Sequence, residues 1–197
     1  MHNNKKSIKK TDEELVNLAL ANKENFAYLI IRYEDKLLTY ILRISNVSTE
    51  EAEDILQNVF IKVYMNLYEF DPEDSGLKFS SWIYRITHNE VISNWRKNKA
   101  RPDSLSLQAN SIILNQLATE TDITREIDLG YLQKNIYKIL NKLDIKYREA
   151  LVLKYFEQKN YKEISDILKK PLGTVATLLN RAKQEFKKEL TKQNIKL

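Results

Sequence analysis

The chain has 197 residues, 32 Lys and Arg against 27 Asp and Glu, and a formal charge of +5, enough length for one good hydrophobic core or two small ones and a balance that is basic without being extreme. Having no cysteine, it has no disulfide framework, thiolate metal site or cysteine nucleophile, and His2 and His88 alone do not support a histidine-rich zinc site or a Ser-His-Asp triad. No apolar run approaches membrane-spanning length and the leader lacks the apolar centre of a signal peptide, which predicts a cytosolic protein.

With three glycines, three prolines and helical spacing almost throughout, the expected fold class is all-α. Met1 to Lys10 is polar and lysine-rich, a predicted disordered tail. Thr11 and Glu14 form a capping box for a short helix carrying Leu15, Val16, Leu18 and Ala19. A longer helix follows with Phe26, Leu29, Ile30, Tyr33, Leu37, Tyr40, Ile41 and Ile44 on one face. Ser45, Asn46, Ser48 and Thr49 interrupt it, and Ser48 with Glu51 reads as the next capping box. In the third helix Ala52, Ile55, Leu56, Val59, Phe60, Val63 and Leu67 share one stripe, leaving Asp54, Gln57, Asn58 and Ile61 on the other side. Asp71 to Gly76 supplies turn chemistry. The helix from about Ser80 opens with Trp82, Ile83 and Ile86 and ends in Arg96, Lys97, Lys99 and Arg101; Arg85, Asn89 and Arg96 fall within roughly 40° of one another around its axis.

From Pro102 to Thr124 Ser, Asn, Gln and Thr dominate and Lys and Arg are absent, and residues 102–127 read as a linker between a domain spanning 11–101 and another spanning 128–197. In the second domain Leu132, Ile136, Ile139 and Leu143 make one helix, and Ala150, Leu151 and Leu153 belong to the next. Asn160 with Glu163 caps a short helix holding Ile164, Ile167 and Leu168, the chain turns at Pro171, and a last helix begins at Gly173-Thr174. There Val175, Leu178, Leu179, Ala182 and Phe186 occupy one arc, and Ala176, Thr177, Asn180, Arg181 and Gln184 the opposite one. A short helix, a tight turn and a longer helix with a polar outer face make the pattern of a DNA-binding helix-turn-helix, and hydroxyl, amide and guanidinium groups are the kinds that reach base edges in a major groove. The basic run Lys183, Lys187 and Lys188 favours the same partner.

Two blocks carry a family resemblance. Asp54-Ile55-Leu56-Gln57-Asn58-Val59-Phe60 and Phe79-Ser80-Ser81-Trp82-Ile83-Tyr84-Arg85-Ile86 with Asn89 resemble the region-two helices of bacterial RNA polymerase sigma factors of the compact extracytoplasmic-function type. Tyr161-Lys162-Glu163-Ile164 and Pro171-Leu172-Gly173-Thr174-Val175 are similar to region four of that family, and the blocks come in the family's order with a linker between them.

The resemblance implies a transcription initiation factor that binds core RNA polymerase, directs it to promoter DNA and assists melting, with no catalytic residues and no cofactor. It places Asp54, Gln57, Asn58 and Ile61 at the polymerase-docking face, where Asn58 departs from a commonly acidic residue. Asn89 falls at the reader of the upstream edge of the minus-ten element, with Arg85, His88, Arg96 and Phe79 as further minus-ten contacts. Phe70 to Phe79 matches a segment that pockets an unstacked base. For Trp82 and Tyr84, packing and base contact both stand. Thr174, Ala176, Thr177, Asn180 and Arg181 match the minus-thirty-five contacts; Ala176 stands where a base is frequent and Lys169 replaces a turn glycine. The family adds one further partner, an anti-sigma protein that covers the polymerase-binding surfaces. The rival reading is a free-standing helix-turn-helix repressor or activator whose N-terminal domain dimerises through an apolar patch.

Overall fold

The structure, a computed structural model, describes residues 10–71, 76–99 and 135–192. The predicted tail before Lys10, the linker over 102–127, the start of the second domain near Asp128 and part of the Asp71 to Gly76 turn lie outside those residues.

Every regular element among them is helical. In order they are α1 (Asp12–Ala21), a 3-10 turn (Lys23–Asn25), α2 (Phe26–Ile44), α3 (Thr49–Met65), a 3-10 turn (Leu67–Glu69), α4 (Phe79–Lys99), α5 (135–142), α6 (Ile145–Leu151), a π-helical turn (Val152–Phe156), α7 (Tyr161–Leu168) and α8 (Leu172–Lys192). None of these helices is long and apolar enough to cross a membrane. The described residues fall into two compact units, one of residues 10–41, 51–71, 76–99 and 166–169, the other of 42–50, 135–165 and 170–192.

Local chemistry sets the helix starts. The Thr11 amide donates to Glu14 Oε2 at 2.8 Å while the Glu14 amide donates to Thr11 Oγ1 at 3.2 Å, the reciprocal pair that the sequence predicts. Asn160 and Glu163 do the same for α7, with both bonds at 2.9 Å.

In the first unit the apolar stripes meet as their spacing requires. Leu29, Leu37, Tyr40 and Ile41 of α2 are fully buried, as are Ala52, Val59 and Val63 of α3 and Ile83 of α4. A ring cluster holds the start of α4 down: Phe79 stands edge-on to Tyr33 at 5.6 Å and to Phe70 at 5.3 Å, and Trp82 leans on both Phe70 and Phe79. The Tyr33 hydroxyl donates to Asp12 Oδ2 at 2.5 Å, and Arg32 pairs with the other Asp12 oxygen at 2.9 Å. Burial and the Asp12 carboxylate together push the Tyr33 phenol well above its ordinary range, so it stays a neutral donor that ties α1 to α2.

In the second unit Ile139, Leu140, Ala150, Val152, Leu153, Val175, Leu179 and Ala182 form the interior. Of the predicted stripe, Ile139 and Leu143 are buried and Ile136 is half-buried, with Leu143 just past the end of α5; Leu132 lies outside the described residues. The end of α5 has carbonyls without intrahelical partners, and the buried Arg148 supplies donors: Nε to Leu140 O at 2.9 Å, Nη2 to Asn141 O at 2.9 Å and to Leu143 O at 3.3 Å. Burial lowers the Arg148 guanidinium to about 10, still charged at neutral pH.

The turn between α7 and α8 closes by Lys170 N–H donating to Ser165 O at 3.1 Å and Ser165 Oγ donating to Lys170 O at 2.5 Å. Lys169 adopts φ +50°, the left-handed conformation that glycine takes without penalty. A side chain there costs about 1–2 kcal/mol, more than the roughly 0.4–1 kcal/mol of unfolded-chain entropy that a glycine adds. Lys169→Gly is therefore expected to stabilise the protein by somewhat under 1 kcal/mol, read as a small upward shift of the thermal midpoint; a lower midpoint would show that the lysine side chain contributes more than its backbone costs.

Candidate functional site

Three helix faces carry the candidate residues. On α3 the buried stripe leaves Asp54, Gln57, Asn58 and Ile61 exposed together. Ile61 is 55% exposed, and the same face of α3 runs on through Tyr64 and Met65, both exposed, with Met65 at 65%; Tyr68 is exposed in the 3-10 turn that follows. The sequence reading stopped at Ile61, yet i+3 and i+4 spacing from Ile61 marks Tyr64 and Met65. The surface begins acidic, with exposed Glu53 and Asp54, and ends apolar.

On α4 Asn89 and Arg96 are exposed, while Arg85 and His88 are half-buried. These four share one side of the helix, and polar length and amide donors there suit phosphate and base-edge contacts. The single acid of α4, Glu90, is turned inward and takes the ammonium of Lys62 from α3. The side of α4 that carries Arg85, His88, Asn89 and Arg96 thus presents no carboxylate of its own.

Phe79 is not part of that face. Its ring is fully buried, packed among Tyr33, Phe70 and Trp82. The physical reason is its place in the first turn of α4, where the helix must be anchored on α2 and an aromatic ring gains more from burial than from solvent. Trp82 and Tyr84, at 8% and 3% exposure, are packing residues for the same reason, Tyr84 lying 5.0 Å from the ring of Tyr40.

Trp95 is 44% exposed on α4, directly before Arg96 and Lys97. It continues the four-residue row of the buried Ile83, Thr87 and Val91, a row that turns roughly 40° around the helix at each step and so comes out to the surface.

On α8 Thr174, Thr177, Asn180 and Arg181 are exposed and Ala176 is half-buried, opposite the buried Val175, Leu179 and Ala182. Thr177 Oγ1 donates to Gly173 O at 2.9 Å, which fixes its hydroxyl and leaves the oxygen to accept. Lys183 and Lys187 are exposed beside them, and Lys188 is engaged by Glu185 at 2.7 Å. The neighbouring Tyr155 hydroxyl raises the Lys183 ammonium, which keeps that positive charge firm at neutral pH.

Among the described residues no group of three or more His, Asp or Glu side chains is placed to hold a metal ion. What the three faces offer is recognition: carboxylate, amide and apolar groups on α3, and amide, hydroxyl and cationic groups on α4 and α8.

Family models match this chain in two places, Sigma-70 region 2 over residues 29–101 and Sigma-70, region 4 over residues 133–186. Among curated proteins, it is 31% identical over 194 residues to the ECF RNA polymerase sigma factor SigW of Bacillus subtilis, with 94% of each chain covered. It is 27% identical to the RNA polymerase sigma-H factor of Pseudomonas aeruginosa, covering 91% of this chain and 93% of that one. Among solved structures it is similar in fold, with a TM-score of 0.65 at 21% identity, to the sigma factor RpoE from Bartonella quintana in its complex with the anti-sigma factor NepR; 85% of this chain and 98% of that one are covered. CnrH, in complex with the cytosolic domain of CnrY, gives a TM-score of 0.64 at 20% identity, covering 92% and 98%. These likenesses give the rival reading, a dimerising regulator, no support.

Proposed function

Because this chain belongs to the ECF RNA polymerase sigma factors, transcription initiation factors that bind core RNA polymerase and direct it to promoters, we propose a division of labour among its three faces. The α3 face of Asp54, Gln57, Asn58 and Ile61 docks on core polymerase. Arg85, His88, Asn89 and Arg96 on α4 engage the minus-ten element, and Thr174, Ala176, Thr177, Asn180 and Arg181 on α8 engage the minus-thirty-five element. The observation that carries this reading is the exposure of Asp54, Gln57, Asn58 and Ile61 on one side of α3 whose other side is wholly core, since a docking helix needs a free face on a rigid support.

The protein works as an initiation factor without catalytic residues of its own, in the cytoplasm beside the polymerase. Two weak DNA readers on one chain act as one strong one, because the second contact becomes intramolecular once the first is made. An anti-sigma protein that covers the α3 face is the expected negative partner, as the solved relative bound to NepR suggests.

Transcription in vitro with purified core polymerase on a promoter library tests the reading: specific start sites that depend on the added chain support it, and none under any salt condition would end it. Arg181→Ala is expected to cost upstream recognition about five- to tenfold, the size of one lost charge-assisted contact of roughly 1–3 kcal/mol at its lower end. The protein should keep its thermal midpoint, because Arg181 is exposed. Equal transcription by both proteins from promoters with and without an upstream element would remove Arg181 from the reading set.

A further inference from the structure

We propose that Gly173 is a positioning residue for promoter recognition: it is where α8 comes closest to the minus-thirty-five DNA, and its missing side chain sets how deep the helix sits in the major groove. This rests on the assignment of α8 to that element and adds to it a residue whose part is to carry no side chain.

Glycine is rare in this chain, three in 197 residues. Gly76 has a backbone reason, since its φ of +58° lies in the left-handed region. Gly173 has none. It is the second residue of α8, its φ is not positive, and a methyl group added at its Cα would meet nothing within 4 Å among the described residues outside its own stretch of helix. Alanine fits that backbone and leaves the unfolded chain less freedom to lose, so for folding alone it is the better residue. The fold therefore does not account for the glycine, whereas a surface brought from outside against the bare backbone does.

Its position on the helix fits such a surface. At roughly 100° per residue, Gly173 lies within about 40° of the exposed Thr177, Asn180 and Gln184 and about 120° or more from the buried Val175, Leu179 and Ala182. The two acids of α8, Glu185 and Glu189, are each paired with a lysine three positions on. The side chains that share the arc with Gly173 begin short. Thr177 is drawn in further, because its hydroxyl donates back to Gly173 O at 2.9 Å. A helix with its side chains is about 10–12 Å across, and the major groove is about 12 Å wide. In so close a fit, a threonine and an asparagine reach base edges only when the helix lies deep. A side chain at position 173, on the same arc and one turn before Thr177, would hold the start of α8 off the base edges.

The test uses holoenzyme reconstituted from the full chain and core polymerase, with Gly173→Ala and Gly173→Leu, each alone and combined with Asn180→Ala. Affinity is measured on one promoter and on the same promoter with its upstream element scrambled. Gly173→Ala is expected to raise the thermal midpoint of the free chain slightly while lowering affinity for the intact promoter about tenfold. Gly173→Leu, also a good helix former, should bind the intact promoter no better than the scrambled one. On the scrambled promoter all the proteins should bind alike, and their affinity for core polymerase should be unchanged. Asn180→Ala should cost about fivefold in the parent and nothing in the Gly173→Leu background, where the helix no longer brings that amide to a base. Parental promoter affinity of both Gly173 variants overturns the proposal, as does a lower midpoint for Gly173→Ala, an equal loss on both promoters, or an Asn180→Ala cost that persists in the leucine background. A parental holoenzyme that binds both promoters alike would instead overturn the assignment of α8 on which the proposal rests.

Discussion

Asp54→Lys is expected to lower the affinity for core RNA polymerase about a hundredfold, the consequence of placing a like charge where an interface expects its opposite. Asp54 is exposed in the second turn of α3 and contributes nothing to the packed stripe of Ile55, Leu56 and Val59. Reversal there changes the interaction with the helix dipole by only a few tenths of a kcal/mol, so the fold and thermal midpoint should persist. Binding of labelled protein to purified core polymerase checks the effect, with circular dichroism as the control. Asp54→Asn separates loss of attraction from gain of repulsion and should fall between wild type and the reversal. If the lysine variant co-purifies with core polymerase as the parent does, the docking face lies elsewhere, and the run of Ile61, Met65 and Tyr68 becomes the next surface to vary.

The second large effect concerns stability. Phe79→Ala should cost about 3–5 kcal/mol, the loss for a fully buried ring whose cavity cannot close. The ring has no exposed surface and touches aromatic partners from α2, from the segment after the Leu67–Glu69 turn and from its own helix, so removing it unseats the start of α4 from three sides at once. Phe79→Leu refills much of the volume and should recover roughly half or more of the loss. Denaturant titration measures both. The alternative outcome is a Phe79→Ala protein of nearly parental stability that binds promoter DNA poorly; that pair of results would mean the ring leaves the interior to meet DNA, as the sequence reading expected.

Phe79 shows where reading from sequence works and where it stops. The capping pairs Thr11–Glu14 and Asn160–Glu163 were legible because they depend only on residues three apart. The stripes of α2, α3 and α8 were legible because a 3.6-residue period writes burial directly into the chain. Whether an aromatic ring in a helix points inward or outward depends on partners distant in sequence. Phe79 meets Tyr33 from 46 positions away, so its burial could not be read from its own neighbourhood. Trp95 goes the other way: it continues the four-residue row of the buried Ile83, Thr87 and Val91 and is nonetheless 44% exposed. The role of Arg148 was also hidden, since a guanidinium serving the carbonyls that end α5 has no local signature.

The π-helical turn at Val152–Phe156 was equally invisible. Its amide-to-carbonyl link from Glu157 to Val152 spans five residues instead of four, so the backbone ring there holds one residue more than an ordinary turn. Burial runs unbroken from Arg148 through the end of α6 into Val152 and Leu153 of this turn, so the extra residue is taken up inside the second unit's interior. A homologue shorter by one position between Arg148 and Asn160 would therefore keep the same beginning and end by reverting to ordinary winding here. When such chains are aligned, the gap belongs inside this helix, a place where gaps are normally penalised, and not in the polar stretch that follows it.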